Sequence, residues 1–126
     1  MSRLLSEHFS VAEFTCGCGC GICNVEPRLL GIMEAVRGAF GRPMHIRSGC
    51  RCRAHNLKVG GKPRSAHITT AKMACTAADI AVNGSIQRYR LVEAAYSAGV
   101  RRIGPHKKFV HIDVHQNLPQ YRLWVY

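Results

Sequence analysis

The chain has 126 residues, 47% of them apolar, and carries 18 Lys and Arg against seven Asp and Glu, a net charge of +11. That length and apolar content fit one globular domain over residues 1–126 and exclude a disordered chain, and no run of about 18 apolar residues is present to span a membrane. The cation excess implies an anionic partner, whether nucleic acid, a membrane surface or acidic cell-wall polymers, and charge alone does not choose among them. The aromatics do not interleave with the basic residues as a base-stacking surface requires, which counts against nucleic acid.

From the N-terminus, Met1–His8 contains no apolar core of signal-peptide length, so export, where it occurs, needs another route. Ser10-Val11-Ala12-Glu13 has the form of a capping box, and Phe9 and Phe14 flank it as buried anchors of a short helix. Four cysteines follow in Cys16-Gly-Cys18-Gly-Cys20-Gly-Ile-Cys23, with Cys50, Cys52 and Cys75 elsewhere; only Cys20 and Cys23 have the Cys-x-x-Cys spacing of a zinc hook. Three states are open to that cluster: a metal site shared with Cys50 or Cys52, longer-range disulfides, or a reduced glycine-rich loop, which the odd count and the missing signal peptide favour. Pro27 suits a first helical position, Leu29, Met33, Val36 and Phe40 share one helical face, and Gly41 ends that helix. Pro43–Arg47 alternates as a strand until Ser48-Gly49 breaks it. Cys50–Thr76 is basic, without periodicity, and reads as a long working loop. Asp79–Val82 reads as a strand, Asn83-Gly84 as a turn, and Ser85 as the cap of a helix running to about Ala98. Strands at Phe109–His115 and Tyr121–Val125 complete an α+β order, helices packed on a mainly antiparallel sheet.

The chemistry concentrates in Phe-Val-His-Ile-Asp-Val-His, residues 109–115. On a strand, His111, Asp113 and His115 project from one face, and three such groups are costly to bury unless paired or coordinated. The chain's only other aspartate, Asp79, lies in an equally apolar run, Ala77–Val82. A catalytic zinc takes three protein ligands and leaves one position open, and His67, Asp79 and His111 supply two imidazoles and a carboxylate for it. Asp113 is then placed to accept a proton from zinc-activated water, and Arg51 to hold a substrate carboxylate through its guanidinium fork. Taken alone, His67 would read as an exposed loop histidine and Arg51 as one surface cation among eighteen.

Ser48-Gly49-Cys50-Arg51, Asn56, Val59-Gly60-Gly61, Ser65-Ala66-His67, Ala77-Ala78-Asp79-Ile80 and Phe109–Val114 occur in order. Together they resemble the zinc D-Ala-D-Ala carboxypeptidase family of peptidoglycan peptidases, whose fold is shared with the hedgehog signalling domain. His8-Phe9-Ser10, Glu13-Phe14, the Cys/Gly patch and Trp124 resemble its small single-domain phage and bacterial branch, some of them endolysin-like. The resemblance implies zinc held by His67, Asp79 and His111, Arg51 on the substrate carboxylate or the tetrahedral intermediate, and Ser65 ordering the His67 loop beside the substrate. It implies peptidoglycan peptides as substrates. Many relatives place the catalytic carboxylate a few residues before the last ligand, where this chain has Lys107 and Lys108, so Glu93 is a second candidate beside Asp113.

The family writes its first two ligands as Ser-x-His-x-x-Gly-x-Ala-x-Asp, six residues between them; here eleven, Ile68–Ala78, intervene. A five-residue insertion leaves both ligands free to meet, because loop-closure entropy grows slowly with length. Cys75, nearest the missing glycine, is the alternative ligand. The rival functions are a binding module of the same fold with a broken site, and a basic cysteine-cluster binder of nucleic acid, which would leave Asp79 and Asp113 unexplained.

Overall fold

Local signals set the first two helices of the computed structural model, which describes residues 3–126; Met1 and Ser2 lie outside the described residues. Ser10 Oγ accepts the Glu13 amide and Glu13 accepts the Ser10 amide, so the capping box opens α1 (Val11–Phe14). Phe9 and Phe14 are both buried, ring edge to ring face at 6.2 Å. Pro27 begins α2 (Pro27–Phe40), whose buried Leu29, Met33 and Val36 follow the helical repeat, and Gly41 closes it. Next come β1 (Ile46–Ser48), α3 (Arg53–Lys58), β2 (Ala77–Ala81), α4 (Gly84–Ser97), β3 (Arg102–Pro105), β4 (Phe109–Asp113) and β5 (Arg122–Leu123). No helix among the described residues is long and apolar enough to cross a membrane.

The five strands form one sheet in the order β1-β2-β4-β3-β5, antiparallel except for the β3–β5 pair. The fold is therefore α+β, four helices with a mostly antiparallel sheet. Its register divides the chemistry from the core. Ala78 pairs with Ile112 and Ile80 with Val110, and these join Leu29, Met33 and Val36 of α2 and Leu91, Ala94 and Ala95 of α4 in the apolar cluster. Each fully buried Leu, Ile, Val or Met contributes about 1.5–3 kcal/mol by leaving water. The alternate residues face the other way, so Asp79 lies opposite His111 with Gly104 on its far side.

Besides shifted strand bounds, with β1 at Ile46–Ser48 and β5 only Arg122–Leu123, four elements differ from the sequence expectation. A six-residue helix, α3, interrupts the supposed loop, and β3 forms where no strand is expected. Asn83, not Ser85, precedes α4, its amide taken by the Gln87 side chain at 2.8 Å. β4 ends at Asp113, so His115 falls past the strand and off the shared face.

Glu34 of α2 anchors the N-terminal segment, accepting Ser6 Oγ at 2.6 Å, the His8 amide at 2.8 Å and His8 Nδ1 at 2.6 Å. Burial alone would raise its carboxyl, but the bonds from Ser6 and His8 outweigh that and lower it. A carboxyl lowered by folding stabilises above its unfolded pKa and loses that contribution as pH falls. Thermal melts from about pH 6 down to about pH 3 should therefore drop less steeply in Glu34→Gln than in the parent; parallel drops would show that these bonds contribute nothing.

Candidate metal centre

Adjacent strands and a tethered loop bring three donors to one point. His67 Nε2 lies 3.2 Å from Asp79 Oδ1 and 3.3 Å from His111 Nδ1, and His111 Nδ1 is 2.9 Å from the same Asp79 oxygen. The residues are 2%, 5% and 7% exposed, so water screens little of what passes between them. Each imidazole is fixed from behind. His67 Nδ1 donates to the Gly49 carbonyl at 2.7 Å, and His111 Nε2 to Asp113 Oδ2 at 2.7 Å. A carbonyl and a carboxylate can only accept, so the neutral rings direct bare lone pairs at Asp79 Oδ1. Three lone-pair atoms facing one another repel unless a cation or proton sits among them.

Zinc fits that cup. Nitrogen and oxygen donors about 2.0–2.1 Å from a tetrahedral zinc stand about 3.3 Å apart, close to the spacings here, and the set is two histidines and a carboxylate. The protons report the same crowding. Burial alone would raise Asp79, yet bonds and charge from His111 and His67 hold it well below the usual carboxylate range. Burial lowers His67. Burial opposes protonation of His111 as well, but bonds and charge from Asp113 and Asp79 overcome it and raise that ring.

Around the cup, Arg51 donates from Nη2 to Asp79 Oδ2 at 3.4 Å, from Nε to Ser48 Oγ at 3.1 Å and from Nη1 to Asn56 Oδ1 at 3.3 Å. Ser65 Oγ accepts the His67 amide at 3.2 Å and so shapes the turn carrying that ring. Asp113 is 1% exposed, with Oδ1 receiving Arg102 Nε at 2.7 Å and the His115 amide at 3.1 Å. Arg102 is the participant that the sequence concealed, because it sits on β3 opposite Asp113 and β3 carried no strand signal. Its guanidinium lies 5.0 Å from the Trp124 ring centre, and Trp124 in turn approaches His111 at 5.3 Å. Gly104 permits this: a Cβ there would stand 2.3 Å from Trp124 Nε1.

The long segment between His67 and Asp79 is closed at its base. Thr76 donates to the Ala66 carbonyl through both its amide and its hydroxyl, each at 3.1 Å. The intervening residues turn back between Thr70 and Met73, and Asn24 Nδ2 holds the Thr70 carbonyl at 2.9 Å. Deleting Thr70–Ala74 should accordingly leave metal content unchanged, as measured by elemental analysis of the purified protein; loss of metal would mean that the tip supports the ligands.

Cys75 is fully buried in the core, its thiol donating to the Ala77 carbonyl at 3.1 Å, and is not one of the three converging groups. Glu93 sits on α4 paired with Arg90 at 3.3 Å, half exposed and away from the cup. His115 touches Asp113 only through its amide. A cavity of about 380 Å³ is lined by Ser65, Ala66, Thr76, Met73 and His115 among others, and by none of the three converging groups.

Compared with known families, residues 7–113 match the family model described as Peptidase M15. No curated protein matches the chain.

Proposed function

The chain belongs to the peptidase M15 family, the D-Ala-D-Ala carboxypeptidase and zinc peptidase family, and on that premise we propose that it is a zinc-dependent peptidoglycan peptidase, a D,D-carboxypeptidase or endopeptidase acting on stem peptides or their cross-links. The observation that carries the proposal is the buried convergence of His67, Asp79 and His111 beside the guanidinium of Arg51. Zinc, when bound, supplies Lewis acidity to the scissile carbonyl and to water. The chain's own residues do the rest. Three of the five guanidinium N–H groups of Arg51 hold it in place, leaving two for a substrate carboxylate or a developing oxyanion. Asp79 splits its oxygens between the histidines and Arg51. Asp113, with both oxygens engaged, we assign to orienting His111 in place of the proton-accepting role read from the sequence. The net charge of +11 suits the acidic polymers that surround such substrates.

The test is to incubate zinc-loaded protein with stem pentapeptides ending in D-Ala-D-Ala and with cross-linked muropeptides, and to follow products by mass spectrometry. Release of a terminal D-alanine or separation of a cross-link is expected. Zinc-loaded protein that binds these peptides and cuts neither would be a binding module instead. Arg51→Lys should retain its zinc and lower kcat/KM about 10–100-fold, the worth of one charge-assisted hydrogen bond lost from the fork. Unchanged kcat/KM would reduce Arg51 to a support for Asp79.

A further inference from the structure

The seven cysteines divide into two groups that their order in the sequence conceals. Cys16, Cys18, Cys20 and Cys52 bring their sulfurs within 4.8 Å of one another. Cys23, Cys50 and Cys75 belong instead to the apolar core and its margin. The one Cys-x-x-Cys pair, Cys20 and Cys23, is thereby split, and the fourth member of the first group comes from the start of α3, 32 residues further on.

We propose that Cys16, Cys18, Cys20 and Cys52 bind a second zinc, a structural one separate from the His67–Asp79–His111 centre. Sulfurs about 2.3 Å from a tetrahedral zinc stand about 3.8 Å apart; Cys16 and Cys18 are 3.5 Å apart, Cys18 and Cys52 3.7 Å. Both distances are far beyond the length of about 2.05 Å of an S–S bond, and all four thiols are free. Two backbone amides already point at sulfur, Cys52 N–H at Cys16 Sγ and His55 N–H at Cys52 Sγ, each 3.4 Å. Such donors stabilise thiolates, the form in which cysteine ligates a metal after releasing its proton to solvent. The loop is built to turn three thiols to one side. The Cys16 amide bonds the Ile22 carbonyl at 2.9 Å across its neck, and Gly19 and Gly21 adopt φ of 88° and 81°, where an L side chain is strained.

Residues 17–21 are all exposed and bury no side chain, so no apolar contact of their own holds that shape. A tetrathiolate site supplies the missing anchor and removes two exposed thiols from chemical attack. It also fastens the loop to Cys52, the residue after Arg51, and so steadies the segment from which Arg51 reaches Asp79.

The two centres are separable by counting metal in the full-length protein. Elemental analysis should find about two zinc per chain in the parent, about one in Cys20→Ser, about one in His67→Ala and none in the double variant. Cys20 is exposed, so its replacement removes no packing. A second readout needs no cysteine variant: in His67→Ala, chelation should speed iodoacetamide labelling of Cys18 and Cys20 at least about tenfold, as peptide masses report. The proposal fails if labelling is equally fast with and without zinc, if His67→Ala alone abolishes all zinc, or if unreduced peptide maps show a Cys18–Cys52 disulfide. Neither readout depends on peptidase activity, so the proposal stands or falls apart from the assignment of substrate.

Discussion

Asp79→Ala should empty the His67–Asp79–His111 centre and abolish hydrolysis. Asp79 is the only anion among the three donors, and its Oδ1 is the point on which both imidazoles converge. Without it, two histidine nitrogens 3.3 Å apart face each other with Arg51 close by, and a divalent cation would enter a cup with no negative charge. The same removal strips Arg51 of its ion pair, and breaking a buried pair costs about 3–5 kcal/mol, so the variant should also melt earlier. Zinc is best counted in a Cys20→Ser background, where only this centre contributes. Cys75→Ser in that background should keep its zinc. The opposite pattern, metal retained by Asp79→Ala and lost from Cys75→Ser, would place the metal elsewhere.

Asp79 and His111 were legible as candidate ligands because their surroundings break a local rule, whereas His67 carries no such local signal. Aspartate is depleted from strands, so Asp79 among alanines and isoleucine, and Asp113 beside His111, stand out against their surroundings. α2 was legible for the opposite reason: Pro27, the spacing of Leu29, Met33 and Val36, and Gly41 all agree. What escaped lacks a local signal. α3 has six residues, and its one large apolar side chain, Leu57, is 80% exposed, so no periodicity marks it. β3 reads Arg-Ile-Gly-Pro, a sequence that looks like a turn, and is a strand because β4 and β5 hold it from both sides. With β3 hidden, Arg102 could not be seen as the partner of Asp113. The division of the cysteines and the Ala66–Thr76 closure are likewise tertiary facts, invisible to residue spacing.

Asp113→Asn should weaken zinc binding about 10–100-fold, the usual effect of losing the carboxylate behind a ligating histidine. The substitution keeps shape and removes charge. Aspartate accepts from His111 Nε2 and so keeps the ring proton away from Nδ1. An asparagine can offer its NH₂ to Nε2 instead, which moves the proton to Nδ1 and blocks the lone pair that faces Asp79. It also leaves Arg102, whose Nε now sits 2.7 Å from the carboxylate, without its counter-charge. Competition with a chromogenic chelator would measure the affinity, again with Cys20→Ser as background. Excess zinc should restore activity to Asp113→Asn but not to Asp79→Ala, which separates a group that orients a ligand from a ligand itself. Undiminished affinity in Asp113→Asn would return the residue to the role of proton acceptor.

Gly104 lets the indole of Trp124 approach His111, and Trp124 is the only tryptophan in the chain. The molecule therefore carries an intrinsic optical reporter 5.3 Å, ring centre to ring centre, from one of its three converging donors. Excited selectively over the tyrosines, the emission of Trp124 should respond to protonation and metal coordination of His111. Cobalt or copper entering the centre would quench it at contact range, and stopped-flow traces of metal exchange need no label and no substrate.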